Sequence, residues 1–141
     1  MMKKVKMWRR KLWKNQKGFT LIEMMIVVGI IAILTAVAIP KFNESLAMAN
    51  TARVQADLQS LDTAIAMYRV QNGRLPQNLE SLKDYIDVDD IKAPTGEVYI
   101  NGKLEDNSSG ENYKFTTGQQ NATFMGHKRN EFGKSASSGQ D

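Results

Sequence analysis

Residues Phe19–Ile39 read FTLIEMMIVVGIIAILTAVAI, and Glu23 is the one charged residue among them. As a helix rising 1.5 Å per residue this run spans about 31 Å, roughly one hydrocarbon thickness. A backbone in lipid must pair its own polar groups, so a helix is the expected form. Three ordinary readings compete: an uncleaved signal anchor, a secretory signal peptide, and a buried core helix. The second has support, because Ala36-Val37-Ala38 has the A-x-A form of a signal-peptidase site. Cutting there would release a soluble exported protein beginning at Ile39. The third suits shorter runs better than this one. Glu23 fits all three poorly, since a carboxylate inside a membrane helix is costly unless it snorkels from near the helix end. Either it is a tolerated interface charge, or its partner arises only after processing.

Outward from this run, charge is distributed unevenly. Residues 1–18 hold eight basic residues (Lys3, Lys4, Lys6, Arg9, Arg10, Lys11, Lys14 and Lys17) and no acidic one. The other 123 residues carry 11 basic and 15 acidic side chains, so the net +4 joins a basic arm to a body of −4. A basic arm can bind nucleic acid. Placed directly before an apolar run, it reads better as the positive-inside flank of a membrane segment. The arm then stays in the cytoplasm and the acidic body is translocated.

The stretch Lys17-Gly18-Phe19-Thr20-Leu21-Ile22-Glu23, with the basic leader before it and Pro40 after the apolar run, resembles the cleavage and methylation motif of type IV pilins, type II secretion pseudopilins and competence pseudopilins. The likeness is close from Lys17 to Pro40, about a fifth of the chain. It implies that a prepilin peptidase cuts after Gly18 and methylates the new amine of Phe19. The apolar segment stays attached, and Glu23 meets the N-terminus of a neighbouring subunit during assembly. Pro40 then marks a kink of the helix rather than its end. The implied partners are the peptidase, other pilin subunits, an inner-membrane assembly platform with its cytoplasmic motor ATPase, and membrane lipid. The implied location is the bacterial cytoplasmic membrane, as a single-pass precursor with its N-terminus inside, and then a cell-surface or periplasmic filament. Elementary chemistry agrees. Glycine lets the backbone lie extended in a protease groove. Cutting creates an amine of pKa about 7.7–8.0, largely protonated at neutral pH. Leaving either charge unpaired in a filament core is costly, which makes the pair a registry device.

Beyond Pro40, residues 41–72 contain neither proline nor glycine, and Val54, Leu58, Leu61, Ile65 and Tyr68 step by four, three, four and three. That spacing is one apolar stripe on a helix, which Asn72-Gly73 stops. Phe19 to Asn72 is thus predicted to be one helix of about 80 Å. Leu79, Leu82 and Ile86 predict a short second helix. The run YRVQNGRLPQNLESLKDYI (68–86) resembles the region that follows the long helix in major pseudopilins and Gram-positive-type pilins. Glu97–Ile100 and Lys103–Glu105 read as strands joined by a type I′ turn at Asn101-Gly102. Asn107–Gly110 reads as a loop, and 112–116 and 122–125 as further strands. The expected fold class is α+β: a long N-terminal helix, half in membrane and half amphipathic, packed on a small antiparallel sheet of three or four strands, the pilin fold. The expected layout is a leader at 1–18, an apolar helix at 19–40, a head at 41–132, and a disordered polar tail at 133–141.

The composition limits the chemistry. With no cysteine and a single histidine, His127, neither a His/Cys metal site nor a Cys–His pair can be built within one chain. Asp87, Asp89, Asp90, Glu97, Asp106 and Glu111 are conceivable calcium ligands. Their spacing follows neither an EF-hand nor the calcium loop of the type II secretion major pseudopilin, so they read as a solvated acidic rim. No metal or cofactor is expected. No nucleophile elbow, zinc-protease helix or phosphate-cradling loop is present, so an enzyme is not expected. The leading expectation is a structural filament subunit serving secretion, DNA uptake, adhesion or motility. The alternatives are a minor or tip pilin that binds DNA or a surface, and the exported protein cut after Ala38. Lys128-Arg129 is the one adjacent basic pair after Gly18, and no basic patch with aromatics accompanies it, so direct nucleic-acid binding is not expected. The absence of a cysteine pair excludes the C-terminal disulfide of many Gram-negative pilins and tilts the resemblance toward pseudopilins or Gram-positive-type systems.

Overall fold

The structure, a computed structural model, describes residues 18–116 and 118–134. It has one α-helix, α1 (Leu21–Asn72), and one antiparallel hairpin, β1 (Glu97–Ile100) and β2 (Lys103–Asp106), with short 3-10 turns at Leu79–Leu82 and Arg129–Glu131. The chain divides into two compact units, Met1–Val37 and Ala38–Asp141. The fold is therefore α+β, with one long N-terminal helix and a small antiparallel sheet.

In the first unit every described residue is exposed, including the whole apolar run from Leu21 to Val37. Leu21, Val28, Ile33, Leu34 and Val37 are each more than 60 % exposed. The helix is long and apolar enough to cross a membrane.

The second unit forms its core on one stripe of α1. Val54, Leu58, Leu61, Ala64 and Ile65 are buried against Leu82, Val98, Ile100, Tyr113, Ala122, Phe124 and Phe132. The spacing of the large residues is the one expected from the sequence. Ala47 and Thr51 extend the stripe N-terminally. Thr51 also joins helix to sheet: its hydroxyl accepts from the Tyr99 N–H at 2.8 Å and donates to the Ala47 carbonyl at 2.6 Å. Tyr113 and Phe124 lie 5.4 Å apart, and Phe124 and Phe132 5.9 Å, centroid to centroid.

The hairpin turns at Asn101 (φ 49°) and Gly102 (φ 78°), and this pair of left-handed residues favours Asn-Gly and matches the twist of the strands. Val98 and Ile100 point into the core while β2 is exposed throughout. The sheet has two strands, not three or four. Residues 112–116 and 122–125 meet only in a single bridge, Lys114 to Thr123. The reason is that the chain turns on both sides of that pair: Gln119 N–H bonds back to the Thr116 carbonyl (3.0 Å), and Phe124 and His127 exchange backbone bonds (3.0 and 2.9 Å) around Met125, whose φ is 50°. Leu79–Leu82 is a 3-10 turn capped by Asn78, followed by turns, rather than a helix reaching Ile86. Gly133 and Lys134, grouped with the polar tail by composition, are both engaged. Gly133 N–H donates to the Tyr99 carbonyl at 3.0 Å, and Lys134 pairs with Glu44. The rest of the tail, 135–141, and the leader, 1–17, lie outside the described residues.

Candidate processing and assembly segment

Gly18 and Phe19 precede α1 in irregular backbone, and both are exposed, Phe19 by 81 %. Nothing lies within 4 Å of the position a side chain would take at Gly18. Among the described residues, both partners of the bond are therefore exposed.

Thr20 caps the helix that follows. Its N–H and hydroxyl both donate to Glu23 Oε2, at 2.7 and 2.8 Å, and its hydroxyl accepts from the Glu23 N–H at 3.2 Å. This is the reciprocal capping box, in which two backbone donors left open at a helix start are satisfied by side chains. The positive end of the helix dipole also favours a carboxylate in the first turn. Glu23 therefore has two local donors within its own chain. The sequence reading singled out Glu23 and passed over Thr20, although Thr-x-x-Glu before an apolar run is the written signature of this motif.

Pro40 lies inside α1, with helix on both sides. It cannot donate to the carbonyl four residues earlier. Ala36-Val37-Ala38 likewise lie inside α1.

Among the head's candidate groups, His127 Nδ1 lies 2.9 Å from Glu131 Oε1, and the Lys128 N–H donates to Glu131 Oε2 at 2.7 Å. The histidine bond first, and the backbone donor second, hold the Glu131 carboxyl below its usual range. Tyr113 donates to Asp57 at 2.6 Å, and burial, reinforced by that bond, pushes its phenol far above the usual range. Tyr113 therefore stays a donor. The acidic residues weighed as calcium ligands take separate local tasks: Asp89 pairs with Lys83 (3.7 Å), Glu111 pairs with Lys114 (2.9 Å), and Asp106 accepts from the Ser108 N–H (3.0 Å).

Comparison with known proteins bears on both units. The family model for the prokaryotic N-terminal methylation motif matches residues 13–39. The model for type II secretion system protein G matches residues 41–138. The chain is 38 % identical over 87 residues to competence protein ComGC of Halalkalibacterium halodurans, covering 62 % of this chain and 85 % of that protein. It is 34 % identical over 69 residues to type II secretion system core protein G of Pectobacterium carotovorum, covering 49 % and 44 %. It is 52 % identical over 50 residues to type IV major fimbrial protein FimA of Dichelobacter nodosus, covering 36 % and 32 %. No solved structure matches. With the methylation motif on its apolar helix and the protein G model over its head, the chain belongs to the type II secretion protein G family of pilin and pseudopilin structural subunits.

Proposed function

We propose that the chain is a membrane-held precursor cut between Gly18 and Phe19 by a prepilin peptidase, methylated at Phe19, and assembled into a type IV pilus-like filament. The observation that carries this reading is the exposed Gly18-Phe19 pair directly ahead of a helix whose first-turn carboxylate is already held by Thr20. In the precursor, Thr20 lowers the cost of placing Glu23 in lipid. Cutting then creates a cationic amine. In the filament, Glu23 takes the amine of a neighbouring subunit as partner, so that subunits lock in one register. Residues 1–18 are the cytoplasmic leader, 19–40 the membrane and filament-core helix, 41–132 the head, and Pro40 the point where α1 bends. An inner-membrane platform and a motor ATPase drive assembly, and the chain itself performs no chemistry. Among possible filaments, the 85 % coverage of a competence protein favours a DNA-uptake pseudopilus.

Cleavage after Ala38 is the competing reading, and mass spectrometry of the protein from membranes or sheared filaments separates the two. A chain that starts at Phe19 and is heavier by one methyl group is the expected result. A chain starting at Ile39 would make the protein a soluble exported one and end the filament reading.

A further inference from the structure

Two segments of the head with opposite charge pack on opposite flanks of α1. At about 100° per residue, Arg53 and Gln71 share one azimuth of the helix, and Gln55 and Asp62 lie close together on the far side of the core stripe. The first pair holds the segment around 85–92: Arg53 Nη2 donates to the Lys92 carbonyl at 3.0 Å, and the Tyr85 hydroxyl donates to Gln71 at 2.9 Å. The second pair holds the segment around 122–132: Gln55 Nε2 donates to the Phe132 carbonyl at 2.5 Å, and the Ala122 N–H donates to Asp62 at 2.8 Å. Residues 80–92 carry Glu80, Asp84, Asp87, Asp89 and Asp90 against Lys83 and Lys92, a net of −3. Residues 122–134 carry Lys128, Arg129 and Lys134 against Glu131, a net of +2. Lys134 is taken by Glu44. Lys128 and Arg129 are exposed, have no ion-pair partner among the described residues, and line a polar cleft of about 250 Å³ with Asn121, Asn130 and Asp62.

We infer that the Lys128–Arg129 cleft receives the acidic 87–90 segment of a second copy of this chain, as a lateral contact between heads. Charge complementarity selects the occupant. The chain after Gly18 nets −4, which opposes a long polyanion but suits a short acidic loop. Symmetry selects the arrangement. A two-fold pairing would set each flank against its own like charge, whereas pairing unlike flanks is heterologous, the kind of contact that builds an open helix wherever its rotation does not close into a ring. The contact rests on the filament reading above. It supplies head-to-head register in addition to the registry given by Glu23. Being solvent-exposed, it is weak per pair and salt-sensitive, and it acts through repetition along the filament.

The test uses the full chain in cells carrying its assembly machinery, and reads sheared filament yield per processed subunit. Lys128→Glu with Arg129→Glu, and separately Asp87→Lys with Asp90→Lys, should each lower the yield on the order of tenfold. All four together should restore most of it, with the N-terminus at Phe19 throughout. If the reversed chains are degraded, Lys128→Gln with Arg129→Gln removes the charge without repulsion and should still lower the yield. Wild-type yield from both double variants, or no rescue in the quadruple one, would overturn the contact. So would filaments of normal yield that have lost only their retention of duplex DNA, which would assign the cleft to a polyanion. A wild-type chain beginning at Ile39 would instead overturn the filament reading and the contact with it.

Discussion

Glu23 is held by Thr20 through two donors at once, the N–H at 2.7 Å and the hydroxyl at 2.8 Å. The carboxylate that the assembly reading assigns to a neighbour is thus already satisfied in the single chain. Exchange of partners, rather than rescue of a bare charge, is what docking requires. Thr20→Val keeps the N–H and removes the hydroxyl. It should leave cutting at Gly18 intact and lower the amount of precursor in the membrane several-fold, as expected for loss of a hydrogen bond to a charged group. Glu23→Gln should also be cut, yet lose filaments by roughly tenfold or more, because the new amine finds no counter-charge. Comparing processed subunit in membranes with sheared filament separates the two effects. Equal filament yields from both variants and wild type would remove Glu23 from assembly.

The core stripe predicts a sharp contrast along α1. Leu58 is fully buried while Val70 is 85 % exposed. Leu58→Ala should destabilise the head by about 2–5 kcal/mol, through lost transfer energy and a cavity. Val70→Ala should stay within about 0.5 kcal/mol. Thermal unfolding of the full chain in detergent micelles checks both. The first change should lower the melting temperature by roughly 10 °C or more in a domain of this size.

The stripe from Val54 to Ile65 was legible because large apolar residues at three- and four-residue steps have no other economical use in water. Ala47, Thr51 and Ala64 belong to the same buried face but carry too little apolar surface to announce it. Asn101-Gly102 announced the hairpin because the chemistry of that turn is local. The further strands were not legible. Their alternation at 112–116 and 122–125 is real, but the chain turns away on both sides of the Lys114–Thr123 pair, with Gln119 N–H bonded back to the Thr116 carbonyl and Phe124 and His127 exchanging backbone bonds around Met125 (φ 50°). The processing motif was legible in the same way as the turn, since Gly18 to Glu23 interact within one helical turn. Thr20 could have been read with it. The opposed flanks were beyond reach, since they depend on which side of α1 each loop returns to.

Acid should loosen the segment that closes the head. Glu131 accepts from the Lys128 N–H and pairs with His127, and Glu44 holds Lys134. His127 lowers the folded pKa of Glu131 and Lys134 lowers that of Glu44. A depressed carboxylate contributes stability above its unfolded pKa, about 4.3 for glutamate, and loses it as pH falls through the folded value. The melting temperature should therefore drop as pH is lowered from about 5 to about 3. Glu131→Gln should lower the neutral-pH value and flatten that drop. A variant as acid-sensitive as wild type would remove Glu131 from the effect.

Asn107 pins the loop after β2 from a fully buried position. Its Nδ2 donates to the carbonyls of Pro94 (2.9 Å) and Glu111 (3.0 Å), and its Oδ1 accepts from the Glu111 N–H (2.8 Å). The sequence around it reads only as a loop, because Pro94 and Glu111 come to it through the fold. Asn107→Asp is nearly isosteric but turns a two-hydrogen donor into an oxygen that faces two carbonyl oxygens. At neutral pH it should cost about 3 kcal/mol or more, the scale of unsatisfied buried polar groups. Protonation restores one donor, so the new carboxyl should titrate above its unfolded value. Its contribution is then present below the unfolded pKa and lost as pH rises through the folded one. The gap in melting temperature between variant and wild type should accordingly narrow on acidification, while wild type itself weakens. A gap that is absent at neutral pH would mean that the loop is held by its backbone bonds to Gly96 and Gly110 rather than by the Asn107 amide.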